Sequence, residues 1–223
     1  MIVFSFSLYG SAPKYTRGMI CNAQQLAISF PAARVNVYIA SDVPSDIYDI
    51  LAAMPNVHLI SVPRRPGSAG MFDRYRAIDE PDCDVMFVRD ADSRVHARDI
   101  ACIEDFLATP DKLLHIIRDH KYHTCKIMGG TIGMRKAAIG RKSMSERIST
   151  WINRDQYMMD QHFLVSEFYE ALKPVALIHD RFGRYDSTEK LTTFRVPIYD
   201  NLFVGQVHDY REDGSEYTQF LAD

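Results

Sequence analysis

Two carboxylates one residue apart, Asp90 and Asp92, close the apolar run Val85-Met86-Phe87-Val88-Arg89. A run of this kind reads as a buried strand with its backbone paired and both faces covered. Ligands of open α/β sheets bind outside the carboxyl ends of the strands, which is where this pair falls. Two acidic side chains so placed repel each other unless a cation lies between them. A hard divalent ion such as Mg2+ or Mn2+ takes oxygen ligands of this sort. The plainer alternative makes Asp90 and Asp92 turn residues that cap the next helix.

Other residues stand in comparable places. Gly129-Gly130 interrupts an apolar segment, which marks a bulge or a close backbone approach. Arg118-Asp119-His120 ends another strand, so Asp119 and His120 fall on the same ligand-facing edge. Asp160-Gln161 opens a segment whose apolar residues are Phe163, Leu164, Phe168 and Leu172; capping alone would explain the aspartate. Arg74 and Arg76 lie in a short helix before the acidic pair, where guanidinium forks suit phosphates or carboxylates and ordinary solvated charge is the alternative. Gly67 and Gly70 allow the preceding loop to approach a ligand closely.

The elements that must position these residues follow from periodicity. Strands are expected at Ile2 to Leu8, Val35 to Ala40 and Val57 to Val62, with helices at Tyr15 to Phe30 and Ser45 to Met54 between them. This alternation is the pattern of a parallel sheet with right-handed crossovers. A short helix over Met71 to Ile78 leads into the strand that ends at the acidic pair. Val95 to Leu107 reads as a helix whose first turn begins near the pair. Leu113 to Arg118 and Lys126 to Met134 read as strands, Ser143 to Asn153 and Asp160 to Leu172 as helices, and Val175 to Ile178 as a last short strand. Beyond His179 the pattern is lost, and this tail is expected to wrap back over the sheet. The fold class is α/β, a mixed, mostly parallel central sheet flanked by helices, in one domain over residues 1–223.

Composition narrows the function. A net charge of −3 argues against a nucleic-acid binder with a dominant basic surface. The four cysteines (Cys21, Cys83, Cys102, Cys125) are far apart and form no CxxC pair, so neither a zinc site nor a disulfide framework is indicated. No stretch has the length of a membrane span. Met1 to Gly10 is too short for a signal peptide and has no basic residue ahead of it. The expectation is a soluble, cytoplasmic protein.

The ordered set of features resembles the GT-A (Rossmann-like) glycosyltransferases that use nucleotide sugars. It comprises an N-terminal βαβαβ, a basic residue in the helix before a DxD, a Gly-Gly strand after it, a downstream Asp-Gln and a late histidine. The layout looks like retaining enzymes of the glycogenin and galactosyltransferase type and like small transferase domains of large algal viruses and bacteria. The resemblance implies a nucleotide-binding half over about 1–93 and an acceptor and sugar-side half over about 94–223.

It further implies that Asp90 and Asp92, around Ala91, tie Mn2+ or Mg2+ to the diphosphate of a UDP-linked donor. His208 would be the third metal ligand, with His179 as the competitor. Ser7, Tyr9 and Gly10 would hold base and ribose, with Arg17 reaching the nucleotide from the first helix. Arg74 would touch donor phosphate or sugar. Gly129 and Gly130 would line the donor-sugar pocket, with Asp119 and His120 as candidates for sugar-hydroxyl contacts. Asp160 and Gln161 would face the anomeric carbon. The implied reaction is sugar transfer to a hydroxyl of a glycan or other acceptor, with retention of configuration.

The sequence departs from that pattern at Arg89, where many members have an apolar residue, and at His208-Asp209-Tyr210, which lacks a glycine after the histidine. Three rivals remain. One is a haloacid-dehalogenase-like Mg2+ phosphatase, in which the first aspartate is a nucleophile on the first strand; Arg94 stands where such an enzyme needs Thr or Val. The second is a nucleotidyltransferase, faintly echoed by Tyr9-Gly10-Ser11-Ala12-Pro13-Lys14. The third is a nucleotide-sugar-binding module without turnover.

Overall fold

A computed structural model describes residues 1–221. Strands β1 (Ile2–Leu8), β2 (Arg34–Ala40) and β3 (Val57–Val62) alternate with helices α1 (Pro13–Ser29) and α2 (Ser45–Ala52). A 3-10 stretch, Ala69–Asp79, precedes β4 (Val85–Arg89). Next come α3 (Ala97–Leu107), β5 (Leu114–Arg118), β6 (Thr131–Arg135), α4 (Met144–Thr150) and α5 (Met159–Leu164), the last running on through a π turn, Val165–Tyr169. Strands β7 (Ala176–Asp180) and β8 (Leu191–Thr192) complete an eight-stranded sheet. The hairpin β9 (His208–Tyr210) and β10 (Glu216–Thr218) stands apart from it.

The sheet order is β3-β2-β1-β4-β6-β5-β7-β8. All neighbours are parallel except β6, which runs antiparallel to both β4 and β5. That reversal positions the site. Arg89, the last residue of β4, pairs with Thr131, the first of β6. Gly129-Gly130, just before β6, therefore reaches the same edge as Asp90-Ala91-Asp92, just after β4.

Alternation along the strands divides the core in two, because successive side chains point to opposite faces. Phe4, Phe6, Val35, Val37 and Phe87 pack with Met19, Leu26, Ile103 and Phe106 of α1 and α3. Val3, Met86, Val88 and Ile132 pack with Phe72 and Tyr75 of the 3-10 stretch, Ile148 of α4 and Phe163 of α5. Both faces are covered, as the unbroken apolar strands require.

Several elements differ from expectation. The helix before β4 is 3-10 rather than α. The glycine-interrupted strand keeps only its second half, because Gly129-Gly130 lies in the turn that enters β6. Helix α3 begins at Ala97, five residues beyond Asp92, so the acidic pair does not cap it. The tail does return to the body of the protein, as the hairpin against α1 and as turns whose Phe203 and Val204 are fully buried.

Candidate active site

The ends of β1 and β4, the turn into β6, the 3-10 stretch and the start of α5 enclose a cleft of about 540 Å3. A recess of about 70 Å3 is lined by Arg74, Asp90, Gly129, Gly130, Asp160 and Gln161, several of which also line the cleft.

Arg74 is the hub. Its guanidinium is buried and pairs with Asp90 Oδ1 and, at 3.2 Å, with Asp160 Oδ2. Ser5 Oγ anchors the same turn by donating to the Arg74 carbonyl at 2.6 Å. Burial alone would lower the Arg74 pKa, but the charge of Asp90, with Tyr75 and Asp160, holds it well above the ordinary value. The guanidinium therefore stays cationic.

Tyr75 Oη donates to Asp160 Oδ2 at 2.9 Å and lies 3.2 Å from the Gly129 carbonyl. Asp160 Oδ2 thus holds two donors, whereas its Oδ1 is buried with no hydrogen-bond partner among the described residues; so is Oε1 of Gln161. The turn Gly129-Gly130 must be glycine for this packing. A Cβ on Gly129 would stand 2.3 Å from Asp160 Oδ2, and one on Gly130 only 1.8 Å from Asp90 Oδ2.

The acidic turn is held from below. Buried Asn22 of α1 donates to the Ser93 carbonyl at 2.9 Å and accepts from the Val95 N–H at 3.0 Å. Gly18 of α1 lies so close that a Cβ there would be 2.1 Å from the Ala91 carbonyl oxygen. The Ser93 hydroxyl and N–H both donate to the Asp90 carbonyl. Burial, reinforced by the charge of Asp90, pushes the Asp92 carboxyl up to about 6, against the opposing pull of Lys14.

No family model matches the sequence, and no curated protein matches it either. Likeness appears among solved structures. A glycosyltransferase involved in glycosylation of the major capsid of PBCV-1 superposes with a TM-score of 0.53 at 16% identity, covering 80% of this chain and 81% of that one. The galactosyltransferase LgtC, solved with donor and acceptor sugar analogues, gives 0.55 at 16% identity over 80% and 73% of the two chains. The mannosyltransferase PcManGT from Pyrobaculum calidifontis, solved with GDP-Man and Mn2+, gives 0.53 at 14% identity over 81% and 55%. The chain has the GT-A fold. A 4-diphosphocytidyl-2C-methyl-D-erythritol synthase from Anaerococcus prevotii is also similar, with a TM-score of 0.55 at 13% identity over 85% and 93% of the chains.

Within this GT-A fold the candidate residues separate into two groups. Ser7, Tyr9, Arg74, Asp90, Ala91, Asp92, His120, Asp160 and Gln161 line the cleft, and Gly129 and Gly130 line the recess. Tyr9 packs against Gly70 and under the Arg64 guanidinium, 4.9 Å from the ring centre, while Ser7 Oγ donates to the Gly70 carbonyl at 2.7 Å. His120 lies flat on Phe203, with ring centres 4.1 Å apart.

The remaining candidates point elsewhere. Asp119 is fully buried in a two-pronged pair with Arg98, at 2.7 Å for each oxygen, and also accepts the Val204 N–H. It is a structural anchor for the returning tail, not a sugar contact. Arg17 stacks on Tyr210 of the hairpin, 5.0 Å from the ring centre, and does not line the cleft. Gly10, with φ +75°, makes the turn after β1 and is likewise outside the lining. Arg76 turns to Asp73. His179 lies in the core of β7, bonded to His115 at 3.1 Å and to Asp105 at 3.2 Å, which removes it as a metal-ligand candidate.

Among the described residues, no three His, Cys, Asp or Glu side chains stand together as a metal-holding group. The expected trio of Asp90, Asp92 and His208 is therefore not assembled. Arg74 takes one oxygen of Asp90, and His208 turns its Nδ1 to Glu216 at 2.6 Å. His208 remains close to the acidic turn through its backbone, whose N–H donates to the Asp92 carbonyl at 2.8 Å. Its Nε2 is buried with no hydrogen-bond partner among the described residues.

Proposed function

We propose that this chain is a metal-dependent glycosyltransferase that moves a sugar from a nucleotide donor, UDP-linked, to a hydroxyl of a glycan or other acceptor. One observation carries the reading: Asp90 and Asp160 pair with the buried Arg74 in a cleft that Asp92 also lines, and a Gly-Gly turn leaves the Asp90 and Asp160 carboxylates room.

The acidic pair fits a hard divalent ion. Asp90 Oδ2 and the Asp92 carboxylate accept no hydrogen bond from another side chain among the described residues, and His208 has a partnerless Nε2. Asp90 and Asp92 would hold Mn2+ or Mg2+, with His208 as third ligand once its ring leaves Glu216. Bound there, the ion would neutralise charge on the departing nucleoside diphosphate. Arg74, pre-oriented by two carboxylates, presents its charge to donor phosphate or sugar, and fixed charge of this kind costs no reorganisation during reaction. Tyr75 and Arg74 hold Asp160 Oδ2, which leaves Oδ1 to accept a hydroxyl and orient the sugar beside Gln161. Tyr9 offers a ring for the base, with Ser7 tethering its loop to the 3-10 stretch. Retention of configuration follows only the sequence resemblance to the glycogenin and galactosyltransferase type. In this scheme residues 1–93 serve the nucleotide and 94–223 the sugar and acceptor.

The test is hydrolysis of nucleotide sugars without acceptor, with Mn2+ and with chelator, alongside a thermal-shift panel of the same donors. Asp90→Ala should abolish metal-dependent turnover while the melting temperature stays near that of the parent. Full activity in that variant would sink the proposal, and donor binding without any hydrolysis would favour the binding-module reading. The phosphatase reading loses its support, because the acidic pair closes the fourth strand and its first aspartate is engaged by Arg74. The likeness to the A. prevotii synthase favours one second reading, nucleotidyl transfer. Release of pyrophosphate from a nucleoside triphosphate in the presence of a sugar phosphate would distinguish it.

A further inference from the structure

A second cavity, of about 470 Å3, shares two elements with the cleft. The 3-10 stretch gives Met71 and Arg74 to the cleft, and Phe72, Asp73 and Arg76 to the cavity. The loop between α4 and α5 gives Tyr157 and Met158 to the cleft, and Trp151 and Arg154 to the cavity. The reaction described above uses none of the cavity residues.

Their chemistry is specific. Asp73 is buried and accepts one N–H from Arg65 at 2.8 Å and one from Arg76 at 3.2 Å, in both cases from Nε. The terminal Nη groups of both arginines are left without a partner among the described residues. Arg154 gives Nη1 to the Ile148 carbonyl at 3.2 Å. Three arginines against Asp73 and Asp155 leave the lining with one net positive charge. Trp151 is fixed edge-on against Phe163, with ring centres 5.5 Å apart. Its ring lines the cavity, while its indole N–H is turned into the protein, shut from solvent.

We infer that this cavity is a subsite for a sugar unit bearing one anionic group, carried by the acceptor next to the transfer site. An indole in the wall offers an apolar face for the C–H side of a sugar ring. Guanidinium Nη pairs match a carboxylate or a phosphate in two-pronged fashion. The assignment to the acceptor rests on the glycosyl-transfer reading; binding in the cavity does not.

Trp151 is the sole tryptophan of the chain, so its emission reads this cavity. The whole chain is titrated with D-glucuronate, D-glucose 6-phosphate, D-glucose and inorganic phosphate. The expected result is a saturable emission change with the two anionic sugars and binding about tenfold weaker or worse for glucose and for phosphate alone. The two anionic arms separate carboxylate from phosphate. Arg76→Ala should weaken the preferred sugar about tenfold, with its melting temperature kept because Asp73 retains Arg65. If that variant is unstable, Arg154→Ala, which disturbs only a bond to a carbonyl, replaces it. No saturable change, equal response to glucose or to inorganic phosphate, or unaltered binding in the arginine variant overturns the assignment. Acceptor-free hydrolysis of nucleotide sugars is measured in parallel. It needs the cleft alone, so failure there with sugar binding retained, or the reverse, shows which of the two readings has fallen.

Discussion

Gly130 sets how near the backbone comes to Asp90. The atom that a Cβ would strike is a carboxylate oxygen at the end of a side chain, so an alanine is accommodated by swinging Asp90 aside rather than by moving β6. Gly130→Ala should therefore cut turnover tenfold or more, about 1.4 kcal/mol of barrier, while the melting temperature moves by only a few degrees. Nucleotide-sugar hydrolysis and thermal denaturation on the same preparation check this, and undiminished activity would remove Asp90 from the reaction. The glycine pair was legible in the sequence because it broke an apolar run. Tyr75 was not: its hydroxyl meets Asp160 and the Gly129 carbonyl, 85 and 54 residues away. Asp119 was misplaced for a similar reason. Its position at a strand end was readable, but its buried partner Arg98 was not.

At the scale of elements, the acidic turn depends on how β4 is joined to α3. Arg89 looked like a departure from an apolar pattern. It is in fact fully buried and donates to both oxygens of Asp99, at 2.8 and 2.7 Å, and to the Val88 and Ile132 carbonyls. Removing one partner of such a pair strands the other charge out of water. Arg89→Ala should cost about 3–5 kcal/mol, read by urea denaturation, and pairing it with Asp99→Leu should recover much of the loss. A cost below about 1 kcal/mol would mean that water reaches the pair. The strands and their succession along the chain were largely legible, since alternating and unbroken apolar runs mark strands directly; their order across the sheet was not. The direction of β6 was not, because periodicity carries no direction; the connection around Gly129-Gly130 sets it. The 3-10 geometry of Ala69–Asp79 was hidden as well, since a short run with apolar residues three and four apart fits either helix.

For the molecule as a whole, buried histidines make stability depend on pH. Burial, aided by the charges of His179 and Arg89, holds His115 well below its ordinary value. Burial likewise lowers His179, against the opposing effect of Asp105, and pushes His123 down to about 4. In the unfolded chain each takes up a proton near pH 6.5, whereas the folded chain does not. The unfolded state then holds more protons, so stability is full above pH 6.5 and falls as the pH drops below it. Each such histidine contributes up to about 1.4 kcal/mol per pH unit. Asp92 acts in the other direction: held up at about 6, it is protonated in the folded chain before the unfolded one, so it adds stability between about pH 6 and 4. His208 is lowered too, chiefly by burial, so four histidines against one carboxyl leave a net loss. Unfolding in urea should show stability falling by about 2 kcal/mol or more from pH 7 to pH 5. His115→Gln should make that slope shallower by about one proton, whatever its effect on the absolute value. A flat profile, or one that rises toward acid, would mean that the His115–His179 pair already carries its protons in the folded core.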